Sequence, residues 1–224
     1  MDQQAVRELA MQLGDVLPLQ ILSDADRDAL TSHMRVRKFR EDETVYHESD
    51  VTGDIFVVFE GLVKVLLQDE NGREALVALL GRGEFFGELA LFDDTRRDTT
   101  VVSVVPTTAL QMPRADCLAV LHRNPEAQTY MFRRLTSTIH RLSDTIEDVV
   151  FLDVPSRLAK YLLELRKTGG ELPLTQYDLA AAVYSTRETV NKTLADFERR
   201  GLIKVERRNV QILDEAALQK EIRR

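Results

Sequence analysis

Residues 174–203 read LTQYDLAAAVYSTRETVNKTLADFERRGLI, and this stretch decides the fold of the C-terminal part of the chain. It contains two capping signals ten residues apart: Thr175 is followed three residues later by Asp178, and Ser185 three residues later by Glu188. Because such pairs mark helix starts, we predict two short helices joined by a tight turn. The apolar side of the two helices is supplied by Leu179, Val183, Val190 and Leu194. This pattern is typical of a helix-turn-helix.

The second predicted helix carries a polar face near its N-terminus. Arg187 and Asn191 lie four residues apart, as do Glu188 and Lys192, so all four side chains project from neighbouring positions. Arginine can donate two hydrogen bonds to guanine, glutamate can accept one from cytosine, and lysine can bind guanine or a phosphate. The pattern therefore favours base reading in a DNA major groove. The alternative is that Glu188 only completes the cap and pairs with Lys192, while Arg187 is solvated.

The segments on either side of this motif complete a separate C-terminal domain. Residues 204–213, KVERRNVQIL, form two strand-like halves around Arg208 and Asn209, which predicts a hairpin. Upstream, Asp153 and Pro155 mark the start of another helix, since proline is well tolerated in a first helical turn. We therefore place a domain boundary near residues 150–154.

A strongly periodic segment precedes this boundary. Its apolar residues alternate steps of three and four and form a heptad seam: Phe132, Leu135, Ile139, Leu142, Ile146 and Val149. With β-branched or aromatic residues at the first heptad position and mainly leucine at the fourth, the seam favours two parallel helices. We interpret it as the axis of a homodimer. The alternative is a helix that packs on the domain of its own chain.

The N-terminal part has a different pattern of apolar and turn residues. Between about residues 35 and 112, short β-branched and aromatic runs such as IFVVFE and TTVVSVV alternate with turn residues. Many strands at close spacing indicate an antiparallel barrel or sandwich.

The charge is distributed unevenly along the chain. The formal charge is −7, but residues 1–150 hold 16 Lys and Arg against 26 Asp and Glu, whereas residues 151–224 hold 14 against 11. The two parts therefore carry net charges of −10 and +3. Only the C-terminal part is suited to a polyanion, because each phosphate contact releases counterions to a nearby cation.

Several classes of protein are disfavoured by composition. No run approaches the roughly 18 to 20 apolar residues of a spanning helix, and the opening MDQQAVRELAMQLGD carries acids where a signal peptide needs basic and then apolar residues. We therefore expect a cytoplasmic protein with no membrane partner. Cys117 is the single cysteine, and the four histidines lack HExxH or CxxCH spacing. No metal, haem or iron–sulfur cluster is expected.

Three separated motifs in this order resemble the cyclic-AMP receptor/FNR (Crp/Fnr) family of bacterial transcription regulators. They are FFGELALF (residues 85–92) with an arginine nearby, FLDVPSRLA (151–159) and STRETVNKTL (185–194). The resemblance implies an α+β fold in three parts. These are a cyclic-nucleotide-binding-type sensor β-roll, or double-stranded β-helix (1–122), a dimerisation helix (123–153), and a winged helix-turn-helix DNA-binding domain (154–224).

The resemblance also implies a set of site residues for DNA. The expected DNA-binding residues are Thr175, Gln176, Thr186, Arg187, Glu188, Asn191 and Lys192. Tyr184 departs from the family pattern, in which a glycine is usual in the turn. The implied partners are a palindromic promoter site in double-stranded DNA, a second copy of the chain, and RNA polymerase.

The segment GEFFGELALFDDTRRDTT resembles the family's phosphate-binding cassette. The expected ligand-binding residues are Gly87, Glu88, Leu89, Arg97, Asp98, Thr99 and Ser143. Two residues depart from the pattern: Asp98 stands where Ser or Thr is usual, and Leu142 stands where a hydroxyl commonly meets the adenine, although Thr99 or Thr100 could supply a hydroxyl. Cyclic AMP, another ligand or none remain open, and Glu88 and Arg97 could form only a structural ion pair.

Three hypotheses follow. The first is a DNA-binding regulator, controlled by cyclic AMP or acting without a ligand through a degenerate pocket. The second is a cyclic-nucleotide-binding module that binds another protein, in which case the DNA-reading face would have no purpose. The third, an enzyme, is disfavoured because no catalytic motif such as GxSxG or a P-loop is present.

Overall fold

The computed structural model describes residues 22–51, 53–92, 96–167 and 173–222, together with residues 6, 8, 9 and 12. The chain forms two compact units. The first unit comprises Met1–Leu67 and Ala78–Thr138, and the second comprises Gln68–Val77 and Ile139–Arg224.

The described part of the chain contains the following helices and strands. The helices are α1 (Asp24–Ser32), α2 (Arg114–Arg123), α3 (Pro125–Phe151), α4 (Val154–Lys167), α5 (Gln176–Ala182), α6 (Arg187–Arg199) and α7 (Glu215–Gln219). The strands are β1 (Arg35–Phe39), β2 (Thr44–Tyr46), β3 (Ile55–Glu60), β4 (Val63–Gln68), β5 (Glu74–Leu80), β6 (Phe85–Phe86), β7 (Thr100–Ser103), β8 (Thr107–Met112), β9 (Ile203–Glu206) and β10 (Asn209–Ile212).

The first eight strands form two four-stranded sheets, in the orders β1-β8-β3-β6 and β2-β7-β4-β5. β1 and β3 both pair antiparallel with β8, and β2 and β4 both pair antiparallel with β7. In β5, Leu76, Ala78 and Leu80 are buried at every second position, as expected of a strand with one face in the core. The predicted antiparallel β-roll is confirmed.

The main core of the first unit lies between one sheet and the helices that flank it in sequence. Val57 of β3 and Leu110 of β8 are directly paired and fully buried. Leu30 of α1 and Val120 of α2 pack into the same cluster. Cys117 is buried there too, and burial raises the pKa of its thiol to about 12. It is therefore a small core residue with a neutral thiol.

The second unit contains the helix-turn-helix. α4 begins where the sequence predicts, and the carboxylate of Asp153 accepts a hydrogen bond from the amide of Ser156 at 2.9 Å. At the start of α5, Thr175 and Asp178 form the predicted reciprocal capping box. β9 and β10 form the predicted hairpin, with Glu206 opposite Asn209.

The predicted cap at Ser185 is wrong. Thr186 caps α6, and its hydroxyl accepts a hydrogen bond from the amide of Thr189 at 3.2 Å. The amide of Ser185 instead donates to the carbonyl of Ala180 at 3.0 Å and so belongs to the end of α5. α6 therefore begins one residue later than the sequence pattern indicates.

Tyr184 occupies the left-handed region in the turn, with φ of +52°. Glycine is favoured at this position after a helix because a side chain there is strained. The tyrosine is accommodated, and its hydroxyl donates to the carbonyl oxygen of Leu76, in the same unit, at 2.8 Å.

The corrected cap gives a stability prediction. Thr186→Ala is expected to lower the free energy of unfolding by about 1 kcal/mol, because the amide of Thr189 loses its acceptor. Ser185→Ala, the matched control, should change it by less than about 0.5 kcal/mol. Thermal melting of both variants measures the difference, and a larger effect at Ser185 would restore the original prediction.

Candidate ligand pocket and DNA interface

Gly87 connects β6 to a short 3-10 helix, Glu88–Leu91. Its φ is +83°, and a Cβ built there would lie 2.6 Å from Nη1 of Arg97. Both the backbone conformation and the close approach of the guanidinium therefore require glycine. Glu88 is half-buried and Leu89 exposed at the start of this helix.

Arg97 is held inside the first unit, with only 4% of its surface exposed. Its guanidinium donates to the carbonyl of Gly87 at 3.0 Å and also to the carbonyl of Asp54. It lies over the ring of Tyr46, with its central carbon 4.2 Å from the ring centroid. Its Nε is buried and has no hydrogen-bond partner among the described residues. Burial lowers the pKa of this guanidinium, so a bound anion would relieve the cost of burying its charge.

The three residues after Arg97 become progressively more buried. Asp98 is exposed, whereas Thr99 is half-buried and its side chain hydrogen-bonds with the hydroxyl of Tyr46. Burial raises the pKa of that hydroxyl to about 12, so it stays neutral. Thr100 is buried and accepts a hydrogen bond from the amide of Glu48 at 3.0 Å. Of the two threonines, Thr99 is the one that shares a partner with Arg97.

The remaining predicted ligand residue, Ser143, lies in the second unit. Its hydroxyl donates to the carbonyl of Ile139, one helical turn earlier in α3, at 3.0 Å. The first unit therefore brings together Gly87, Glu88, Leu89, Arg97 and Thr99 without it.

The candidate DNA-reading side chains lie at the start of α6. Arg187 is exposed and lies over the ring of Tyr177, at 4.6 Å from the ring centroid, with Nη1 3.3 Å from the tyrosine hydroxyl. Glu188 accepts a hydrogen bond from Lys192 at 2.8 Å, and both side chains are at least 75% exposed. The Glu188–Lys192 pair foreseen in the alternative interpretation is therefore present, but Glu188 does not complete the cap, and Arg187 rests on an aromatic ring.

The other predicted DNA-binding residues have mixed environments. Thr175 is half-buried, and its hydroxyl takes part in the capping box of α5, whereas Thr186 caps α6 and is exposed. Gln176 is half-buried. Asn191 is half-buried too, and its Oδ1 is buried with no hydrogen-bond partner in the part of the chain that the structure describes. The oxygen of its amide is therefore turned into the protein in this conformation.

A cavity of about 270 Å³ lies beside these residues, between the start of α5, the start of α6 and the β9–β10 hairpin. Its polar lining includes Gln176, Tyr177, Arg187 and Arg207. The sequence analysis missed Tyr177 and Arg207. An aromatic residue two positions after a cap signal, and the paired arginines at the predicted hairpin tip, could have indicated them.

The seam of α3 is largely uncovered within the chain. Phe132, Ile139 and Ile146 are 63%, 62% and 64% exposed, Leu142 and Val149 are also exposed, and Leu135 is half-buried. Such a row of apolar side chains in water marks an interaction surface. It disfavours the alternative in which the seam packs on its own chain.

No helix within residues 22–51, 53–92, 96–167 and 173–222 is long and apolar enough to cross a membrane. Over the same ranges, no group of three or more His, Cys, Asp or Glu residues is placed to hold a metal ion.

Comparison with known proteins identifies both parts of the chain. The family model of the cyclic nucleotide-binding domain matches residues 36–124, and that of the Crp-like helix-turn-helix domain matches residues 156–221. A CRP-like cAMP-activated global transcriptional regulator of Mycobacterium tuberculosis is 33% identical over 204 residues, covering 87% of this chain and 91% of that protein. The cyclic AMP receptor protein of Thermus thermophilus is 29% identical over 203 residues, covering 90% and 94%.

Solved structures agree with these matches. A CRP-family transcriptional regulator from Thermus thermophilus is 29% identical, with a TM-score of 0.70 over 83% of this chain and 96% of that one. A regulator of the Crp/Fnr family from Eubacterium rectale has a TM-score of 0.80 over 93% and 99% of the two chains, and at 19% identity that likeness shows the fold alone. From the two domain matches and the relative at 33% identity, this chain belongs to the Crp/Fnr family of DNA-binding transcription regulators, which are not enzymes.

Proposed function

We propose that the protein is a homodimeric regulator that binds a palindromic promoter site and is controlled by cyclic AMP. The observation that carries the ligand proposal is Arg97, a buried guanidinium whose Nε has no hydrogen-bond partner among the described residues and which lies beside a glycine with a positive φ. Preorganised charged donors of this kind suit an anionic oxygen, such as that of a cyclic phosphate.

The departure at Asp98 is compatible with this ligand. Its carboxylate is exposed, and solvent and salt weaken its repulsion of a bound phosphate. Thr99 supplies a hydroxyl near the guanidinium. Its side chain hydrogen-bonds with the hydroxyl of Tyr46, and the ring of Tyr46 lies beneath the guanidinium of Arg97. The relatives named as a cAMP-activated regulator and as a cyclic AMP receptor protein favour cyclic AMP over other anions for this chain.

The three-part division of the chain assigns the remaining roles. Residues 1–122 bind the nucleotide, residues 123–153 join the two copies along the α3 seam, and residues 154–224 read DNA. Binding of the nucleotide shifts the dimer towards a state in which the two recognition helices enter successive major grooves, about 34 Å apart. The protein acts in the cytoplasm on promoter DNA, and RNA polymerase is its further partner.

The test is fluorescence anisotropy of a labelled inverted repeat of TGTGA, titrated with the protein with and without cyclic AMP at fixed salt. Cyclic AMP is expected to tighten binding by about tenfold or more, within the roughly 5- to 150-fold range of allosteric coupling. Arg97→Gln should abolish this response, because the variant removes the buried cation.

Arg96→Gln is the matched control, since it makes the same substitution at an exposed neighbour and should keep the response. Melting curves of both variants establish that each is folded, and calorimetry with cyclic AMP measures ligand binding directly. Equally tight DNA binding with and without the nucleotide would indicate a ligand-independent regulator. A lack of salt-dependent DNA binding in both conditions would favour the protein-binding module.

A further inference from the structure

Tyr177 is an aromatic residue on the surface of the DNA-binding domain with no place in its core. It lies in the first turn of α5, and 62% of its surface is exposed. Its ring lies beneath the guanidinium of Arg187, which belongs to the next helix of the motif. A residue of α5 therefore contacts the candidate guanine-reading residue of α6.

The geometry of this contact leaves the reading edge of the arginine available. An aromatic ring attracts the flat face of a guanidinium, whereas guanine is bound by N–H groups in the guanidinium plane. The central carbon of the guanidinium lies 4.6 Å from the ring centroid, and Nη1 donates a hydrogen bond of 3.3 Å to the tyrosine hydroxyl. Tyr177 thus restricts the arginine and engages one of its donors, Nη1, while Nε and Nη2 can still donate to a base.

Lys192 differs from Arg187 in the kind of partner that holds its charge. The ammonium of Lys192 is bound to the carboxylate of Glu188 at 2.8 Å, so DNA must compete with that carboxylate for it. Arg187 has no such competition from Tyr177, because a ring restrains the guanidinium without neutralising its charge. A long arginine side chain loses much rotamer freedom on binding, and a partner that orders it beforehand reduces that loss.

We propose that Tyr177 is a specificity-determining residue, which positions Arg187 and thereby strengthens the preference for guanine at one base pair of each half-site. The proposal rests on the proposed DNA-reading role of Arg187. It assigns Tyr177 a role at the DNA interface that the sequence motif alone does not, since the motif contains Arg187 but not the aromatic residue ten positions earlier.

The experiment measures affinity for every single base-pair substitution of the half-site, using wild type, Tyr177→Leu, Tyr177→Phe and Arg187→Ala. The base pair at which Arg187→Ala loses discrimination is the one that this arginine reads. At that pair, Tyr177→Leu is expected to lower the guanine preference by about two- to fivefold per half-site. Tyr177→Phe should retain most of the preference, because the ring remains.

Two further readouts separate positioning from other roles. Tyr177→Leu should have no effect on discrimination in the Arg187→Ala background, and it should leave the dependence of affinity on salt unchanged. A uniform loss across all sequences with a shallower salt dependence would make Tyr177 a phosphate contact and overturn the proposal. Unchanged discrimination in Tyr177→Leu would overturn it as well. If Arg187→Ala itself leaves every base preference intact, the proposed reading role of Arg187 fails first, which distinguishes the two failures.

Discussion

Arg187→Ala is expected to weaken binding of the dimer to its inverted repeat by roughly thirtyfold to twenty-thousandfold. Each good bidentate contact from arginine to guanine contributes about 1–3 kcal/mol of discrimination, and a symmetric dimer loses two of them. Arg187 is exposed at the first residue of α6, and its guanidinium is held by a ring. Anisotropy titration at fixed salt in the presence of cyclic AMP measures the loss.

Arg199→Ala is the matched control, because it removes the same side chain from the opposite end of the same helix. Arg199 is exposed and paired with Asp196, so its removal should change affinity by less than about threefold. The loss at Arg187 should also disappear on a duplex whose guanine at that position has been replaced. Equal losses from both substitutions on every duplex would mean that the charge of the helix matters and that Arg187 reads no base.

The starts of two helices could be predicted because capping is local chemistry. Asp153 accepts a hydrogen bond from the amide of Ser156 at the start of α4, and Thr175 makes the capping box with Asp178, as the sequence indicates. The start of α6 was misplaced because Ser185 and Thr186 can both cap a helix. The choice between them depends on the left-handed turn at Tyr184, which commits the amide of Ser185 to the end of α5.

Only part of the ligand pocket and of the DNA interface could be predicted from the sequence. The family resemblance located Gly87 and Arg97, whose placement in one pocket the structure explains by a direct hydrogen bond. It did not indicate that Tyr46 lies beneath the guanidinium, because that contact joins residues 51 positions apart and depends on how the sheets fold. The contact between Tyr177 and Arg187 was missed for a similar reason, since its geometry depends on the crossing of two helices.

A pair of charges in the α3 seam is expected to convert the protein to a monomer. Ile139 and Ile146 are both at the first heptad position, where each side chain of a parallel pair faces its own copy. Each buried isoleucine contributes about 1.5–3 kcal/mol, so Ile139→Glu with Ile146→Glu removes about 6–12 kcal/mol from the dimer and adds repulsion between facing carboxylates. Sedimentation velocity should show a monomer at micromolar concentration.

Loss of the dimer should also weaken binding to the inverted repeat by at least about a hundredfold, because the second half-site no longer binds at a high effective concentration. Ser137→Glu with His140→Glu is the matched control, since it adds two glutamates to the same helix at exposed positions outside the seam and should leave the dimer intact. A seam variant that remains dimeric would exclude this surface as the interface. A monomeric variant that binds the repeat as tightly as the wild type would show that the two half-sites are read independently, which would contradict the proposed coupling of dimer geometry to DNA binding.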